Sequence, residues 1–345
     1  LGLTRPEIAV LFSYAKISLY DALLDSSLPD DPYLEAVLLD NFPPRLLEQH
    51  REDLCNHRLR REIIATVLTN SVINRMGMAF VHRLSGEVGE SLDKVVKAYV
   101  ATCRVFDIKS RWAAVRALDN EVPTEVQYAL LGRIKQLLKH NIGWMLANLQ
   151  GDESLDSIMD QYAQGVEAFE RALPDILVGH YRSEWDRIHD KTLANGAPED
   201  QAVSTANALF LSSALDVVGL AERSGLPMEM VANSYFQIGE NLSVPWLLDS
   251  IIGLKVDGRW QALARGNLRD DAYRLHRNVV AHVLEHGEKD DDVETRIKAW
   301  SKAHSDVVRF SRRRIAELQS SGVSDFLSLA VAVRELRKLS RLRPR

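Results

Sequence analysis

One stretch, residues 59–84, reads LRREIIATVLTNSVINRMGMAFVHRL and constrains the fold more than any other part of the chain. It has no proline, its one glycine is Gly77, and its apolar residues recur at helical rather than strand spacing. One stripe at i, i+4, i+7 steps runs Ile63, Val67, Asn70, Asn74, Gly77, Val81. Its flanks carry Ala65, Thr69, Val72, Met76 and Phe80 on one side, Ile64 and Leu68 on the other. A helix apolar on nearly every side is enclosed by other helices. Read as a single helix, the stretch spans about 39 Å at about 1.5 Å per residue. The spacing therefore predicts one central helix with an N-terminal helical subdomain built around it. An unpaired buried amide costs about 1–3 kcal/mol. Asn70 and Asn74, with Arg75 beside them, are therefore the candidate polar contact, made either with another domain or subunit or with neighbouring helices of this segment.

The rest of the chain is punctuated in the same helical style. Thr4-Arg5-Pro6-Glu7 is a capping box opening a first helix to about Leu24. Pro29–Pro32 feeds a short helix through Tyr33 and Leu38, and Pro43-Pro44 starts another. Ser91 caps a helix to Phe106, a shorter one carries Trp112 and Leu118, and a long one runs from Pro123 to about Leu149. Further helices are expected over 155–188 with a break near Pro174, after Asn195-Gly196, after Gly225 and Pro227, and after Ser243 and Pro245. The last three are expected at 258–285, 292–318 and 324–339. No run keeps strand alternation for more than a few residues. The expected fold is all-α, an irregular multi-helix bundle without significant sheet. At 345 residues the chain is long for one unit, so two helical subdomains are expected, 1–150 and 151–345, divided at Gln150-Gly151-Asp152.

Composition narrows the function. The chain is 46% hydrophobic and 26% charged, with a net charge of -5, so it carries no general affinity for nucleic acid. Cys55 and Cys103 stand far apart without a CxxC or Cys/His cluster, as in a reducing cytosol. The most apolar run, 206–221, is interrupted by Asp216 and falls short of a membrane span. The chain opens Leu1-Gly2 rather than with methionine, as a piece of something longer would. Residues 309–345 carry ten Arg/Lys against three Asp/Glu, leaving the preceding 308 residues at -12. That basic tail fits a solvated helical face, docking on an acidic surface of its own chain or a partner, or an RNA contact.

Several local patterns resemble sites of chemistry. Gly86-Glu87-Val88-Gly89 lacks the strand and the GxGxxG spacing of a dinucleotide loop and reads as a turn. His282 and His286 stand four apart on one predicted helix, with Glu285 between them and His276 upstream. Two such imidazoles can ligate zinc, yet the HExxH order and a third ligand are missing, and a helix end favouring histidine explains the pair. Asp290-Asp291-Asp292-Val293-Glu294 contains DDxxE, a magnesium pattern that needs a facing acidic cluster. The acidic pair Asp270-Asp271 sits beside Arg269 and Arg274, so helix capping is the simpler reading. Cys55 and His57 lack an orienting third group. Trp112, Trp144, Trp185, Trp246, Trp260 and Trp300 all fall in predicted helices and read as core.

Six stretches together resemble one family. GLTRPEIAVLFSYAKI (2–17), LPDDPYLE (28–35), HRLRREIIATVLTNSVINRMG (57–77), KAYVATCRVFD (97–107), YFQIGENLSVPWL (235–247) and GRWQALARGNLRDDAYRLHR (258–277) are similar to the C-terminal region of the large bacterial NAD-dependent glutamate dehydrogenases. The resemblance spans nearly the whole chain and departs at Arg58, where the family pattern carries a proline. It implies a parent enzyme that converts L-glutamate and NAD to 2-oxoglutarate, ammonia and NADH, as a cytoplasmic homo-oligomer. The family's substrate lysines and dinucleotide fold lie upstream, so no catalytic, cofactor-binding or metal residue is carried over. The expectation is a helical buttress that packs on the catalytic domain of the same polypeptide and relays regulation, without nucleic acid or membrane as partner. The competing expectations are a stand-alone interaction scaffold that binds a protein or RNA through the basic tail, and a metal-dependent all-α enzyme.

Overall fold

Helix α1 (Arg5–Leu24) begins where the Thr4 N–H and hydroxyl both donate to Glu7 Oε2 at 2.7 Å, with Pro6 in the first turn, where no amide proton is needed. The computed structural model describes residues 2–149, 153–286 and 291–343. They form helices joined by turns, with no strand among the described residues. They divide into two compact units, Leu1–Gln164 and Gly165–Arg345. The boundary expected at Gln150–Asp152 lies outside the described residues.

In the first unit, Pro29 and Pro32 each open a single 3-10 turn before α2 (Glu35–Leu39), and α3 (Pro44–Cys55) starts on a proline. Helix α4 (Arg60–Met76) follows a tight turn through Arg58, closed by the Arg60 amide donating to the His57 carbonyl at 2.9 Å. Its inner face buries Ile64, Leu68, Val72, Ile73 and Met76.

The single 59–84 helix expected from periodicity is two helices. Gly77 ends α4 at φ 100°, and α5 (Phe80–Val88) leaves at an 89° bend. A β-carbon disfavours that backbone, so glycine permits the break. The bend turns Phe80 and Val81 inward, where a straight continuation would follow the α4 axis. Helix α6 (Leu92–Val105), capped by Ser91, packs against α8 (Thr124–Asn148), with α7 (Ile108–Ala117) between them in sequence.

In the second half, α9 (Leu155–Ile176) carries Pro174 in its last turn and ends two residues later. Gly179 at φ 53° then starts α10 (Gly179–Ala194). Helices α11 (Glu199–Phe210), α13 (Met228–Asn241) and α14 (Val244–Ile252) follow the Pro and Gly signals read from sequence, whereas α12 (Ala214–Ser224) begins after a 3-10 turn at Leu211–Ser213 that no such signal announced. Long α15 (Arg259–Leu284) packs on α12, α13 and α14. The segment Glu199–Ser224 is long and apolar enough to cross a membrane, but 72% of its apolar window is buried in the fold. Within it, Asp216 is buried and ion-paired to Arg277 of α15 at 2.9 Å.

The one helix expected over 292–318 is again two, α16 (Val293–Ala303) and α17 (Ser305–Ser321), separated at His304 (φ -122°, ψ 28°). The last helix, α18 (Phe326–Leu339), packs on α17 and α15. Among the tryptophans, Trp112, Trp185 and Trp300 are core, and Trp144 and Trp246 are half-buried. Trp260 is 76% exposed, a correction to the reading of all six as core: it stands in the first turn of α15, with the Arg259 guanidinium 5.7 Å from its ring.

Candidate docking face and buried polar chamber

Apolar residues occur all round α1, and its own unit covers only one end of it. Leu19 and Leu23 are buried, while Val10 is 54%, Tyr14 66% and Ile17 54% exposed. Steps of three, four and three place Glu7, Val10, Tyr14 and Ile17 near one side, with exposed Ile8 and Leu11 alongside. An apolar stripe of this length on a helix marks a surface that another element covers.

The predicted polar contact borders this face and divides in two. Asn70 is half-buried, and its Oδ1 accepts from Lys16 Nζ of α1 at 2.6 Å. Asn74, one turn on, is exposed. The stripe read as enclosed is therefore the outer edge of α4. Arg75 points elsewhere: it donates to the Ser71 hydroxyl at 2.9 Å and lies 3.8 Å over the Trp112 ring.

Five of the ten bases of the tail are paired with carboxylates of their own unit. Glu335 of α18 is buried and accepts from Arg314 (3.0 Å), Lys338 (2.7 Å) and the Ser311 hydroxyl (3.0 Å). Burial raises the Glu335 carboxyl, but these hydrogen bonds outweigh it and bring the group below its ordinary value. Arg337 reaches Asp271 of α15 at 2.7 Å, and Arg309 and Arg313 pair with Asp306 and Glu317.

The other sequence candidates are local structure. His286 Nδ1 bonds the His282 carbonyl at 2.7 Å, so the pair closes the end of α15 rather than converging. Asp292 caps α16 by accepting from the Thr295 amide at 2.8 Å, while Asp290 of the same DDxxE run lies outside the described residues. Burial raises the Cys55 thiol and pushes Cys103 up to about 12, so neither is a ready nucleophile. His57 Nδ1 is occupied by the Leu59 amide at 3.1 Å. Gly89, at φ 79°, ends α5. Among the described residues no group of three or more His, Cys, Asp or Glu is placed to hold a metal. Among the described residues there is no strand followed by a glycine loop of the dinucleotide-binding kind.

Sequence reading missed a chamber of about 60 Å³ in the second unit, walled mostly by apolar atoms with a few polar groups among them. Tyr181 comes from α10, Tyr235 from α13 and Tyr273 and His276 from α15, while Ser212 lies between α11 and α12. Tyr235 is 2% and His276 1% exposed, their rings 4.2 Å apart. Burial drives the His276 imidazole down to about 3, against a hydrogen bond to the Tyr235 main chain that raises it. The ring is therefore neutral. Its Nε2 and the Tyr235 hydroxyl are both buried without a hydrogen-bond partner. Gly239 makes room for the group: a β-carbon there would stand 2.3 Å from the Tyr181 hydroxyl and 3.2 Å from His276 Nε2. Ser212 and Tyr273 hydroxyls meet at 3.3 Å. Phe210, Phe236 and Leu248 form apolar walls, and His180, Glu184 and Asp249 line the outer part.

The family model "Glutamate dehydrogenase, C-terminal" matches residues 1–338. The chain belongs to this family. It is 32% identical over 335 residues to the NAD-specific glutamate dehydrogenase of Halomonas elongata, covering 97% of this chain. It is 33% identical over 341 residues to that of Pseudomonas aeruginosa and 28% identical over 341 residues to that of Mycobacterium tuberculosis, covering 98% and 99% of this chain. It spans 21% of the length of each of these relatives. The glutamate dehydrogenase C-terminal region is thus, in this chain, an all-helical structure with two compact units.

Proposed function

We propose that this chain is the non-catalytic C-terminal part of a cytoplasmic, homo-oligomeric NAD-specific glutamate dehydrogenase, and that it docks through α1 on the catalytic part of the same polypeptide. The parent enzyme oxidises L-glutamate to 2-oxoglutarate and ammonia with NAD bound upstream. The observation that carries the docking reading is the unpartnered side of α1, with Val10, Tyr14 and Ile17 more than half exposed in a chain that spans 21% of its relatives. Lys16, tied to Asn70, and exposed Asn74 give that surface a polar border. Such an apolar centre with a polar rim is the anatomy of a protein interface.

The test is made in the full-length enzyme. Replacing Val10 and Ile17 together by Asp is expected to lower turnover at least tenfold or to split off the C-terminal part under limited proteolysis. The same double substitution in the 345-residue chain alone is expected to move its melting temperature little, because neither side chain is buried there. Full-length enzyme with wild-type turnover and wild-type protease resistance would sink the proposal. Five of the ten bases of the tail are paired within its own unit, which leaves the scaffold reading the weaker one.

A further inference from the structure

Buried polar atoms in folded proteins are nearly always paired. In the chamber of the second unit, His276 Nε2 and the Tyr235 hydroxyl have no hydrogen-bond partner, and both side chains line the same space. They are 1% and 2% exposed and come from two different helices, α15 and α13. Gly239 is required beside them, because a β-carbon there would stand 3.2 Å from His276 Nε2 and 2.3 Å from the Tyr181 hydroxyl.

The lining selects an occupant without charge. Asp249 lies 3.0 Å from His180 Nε2, Arg187 holds Glu184 at 2.5 Å, and Arg277 holds Asp216 at 2.9 Å, so these carboxylates are already matched. Glu240 accepts from the His180 amide at 3.2 Å. Most of the wall is apolar, with Phe210, Phe236, Pro245 and Leu248 contributing. The burial that keeps the His276 ring neutral would penalise any ion placed beside it.

Hydrogen-bond accounting then selects a hydroxyl. The neutral ring bonds the Tyr235 main chain through its other nitrogen, which leaves Nε2 as a pure acceptor. The Tyr235 phenol has a proton to give. One O–H group answers both atoms, donating to the first and accepting from the second. A primary carboxamide would bring a further N–H that these two atoms leave unanswered, and a buried unmet donor is costly. A water molecule would answer the same two atoms but leave the apolar walls without contacts. By proportion with the roughly 150 Å³ cavity that takes benzene, a space of about 60 Å³ accommodates about two to three non-hydrogen atoms. That is the size of a hydroxyl on a short hydrocarbon.

We propose that this chamber binds the uncharged hydroxyl end of a small aliphatic alcohol, which donates to His276 Nε2, accepts from the Tyr235 hydroxyl and lays its hydrocarbon against Phe210 and Leu248. The site lies within the second unit and does not depend on α1 docking, so either proposal can fail alone.

The experiment titrates the 345-residue chain with ethanol, acetamide and sodium acetate, probes of similar size that differ in donors and charge. One readout is the ¹⁵N shift of His276 Nε2 in a two-bond proton–nitrogen correlation, which reports donation to that lone pair. The other is the set of nuclear Overhauser contacts from the probe methyl to the Phe210 and Leu248 side chains. Ethanol is expected to give a saturable shift in the millimolar range, the limit for so small an occupant, together with those methyl contacts. Acetamide is expected to bind more weakly, and acetate, which has no donor, not at all. Tyr235→Phe keeps the ring and removes the hydroxyl, so it is expected to weaken ethanol binding about tenfold. Three results overturn the proposal. The first is no saturable ethanol shift with those contacts in the wild-type chain, which leaves the chamber to water. The second is acetamide or acetate saturating at or below the ethanol concentration. The third is unchanged ethanol affinity in a folded Tyr235→Phe variant.

Discussion

Glu335 shows how one side chain settles the fate of a basic segment. It is buried, it accepts from Ser311, Arg314 and Lys338, and without them its burial would favour the protonated form. Its folded-state pKa lies below the ordinary 4.5, so the stabilisation is complete above that value and is lost as pH falls through the lower folded one. Glu335→Gln is accordingly expected to destabilise the chain by about 1.5–3 kcal/mol at pH 7, the range for hydrogen bonds to a charged group. The gap between wild type and variant should close as the solution is acidified below pH 4.5. Urea melts at pH 7 and near pH 3.5 check both statements; a gap that widens on acidification contradicts the assigned sign.

Helix ends are legible where local chemistry makes them, and illegible where tertiary packing does. The Thr4–Glu7 box, the proline starts at Pro44 and Pro245 and the glycine stop at Gly225 could be read from sequence because each acts on the helix's orphan groups within a few residues. The breaks at Gly77 and His304 could not, because their gain is the burial of Phe80, Val81 and Trp300 against distant helices. Gly77 offers a test by sign. In a continuous helix Gly77→Ala would stabilise by about 1 kcal/mol. At the observed φ of 100° it is expected to destabilise by about 1–3 kcal/mol instead. Thermal unfolding of the single variant decides between them. The candidate site was legible in part. Asn70 and Asn74 were found by their polarity within an apolar stripe, but their place at the edge of α4 depends on where α1 lies. The chamber was invisible, because Tyr181 and His276 come from helices nearly a hundred residues apart with no fixed spacing; its one local trace is Gly239 inside α13.

At the scale of the whole molecule, charge is separated along the sequence and rejoined in the fold. Of the ten bases after residue 308, Arg314 and Lys338 pair with Glu335, Arg313 with Glu317, Arg309 with Asp306 and Arg337 with Asp271. Lysines and arginines already held this way have little left to offer phosphates. A gel shift of the 345-residue chain with a single-stranded RNA oligomer at 150 mM salt is therefore expected to show no complex; a retarded band that vanishes on truncation at Phe310 would restore the scaffold reading. The bare side of α1 bears on timing. In a polypeptide whose catalytic part is made first, as proposed, α1 leaves the ribosome well before α4 and α6, the helices that anchor its far end. Val10, Tyr14 and Ile17 thus reach a ready-made neighbour before their own unit has closed, and a nascent chain released without that neighbour would present a sticky handle to chaperones.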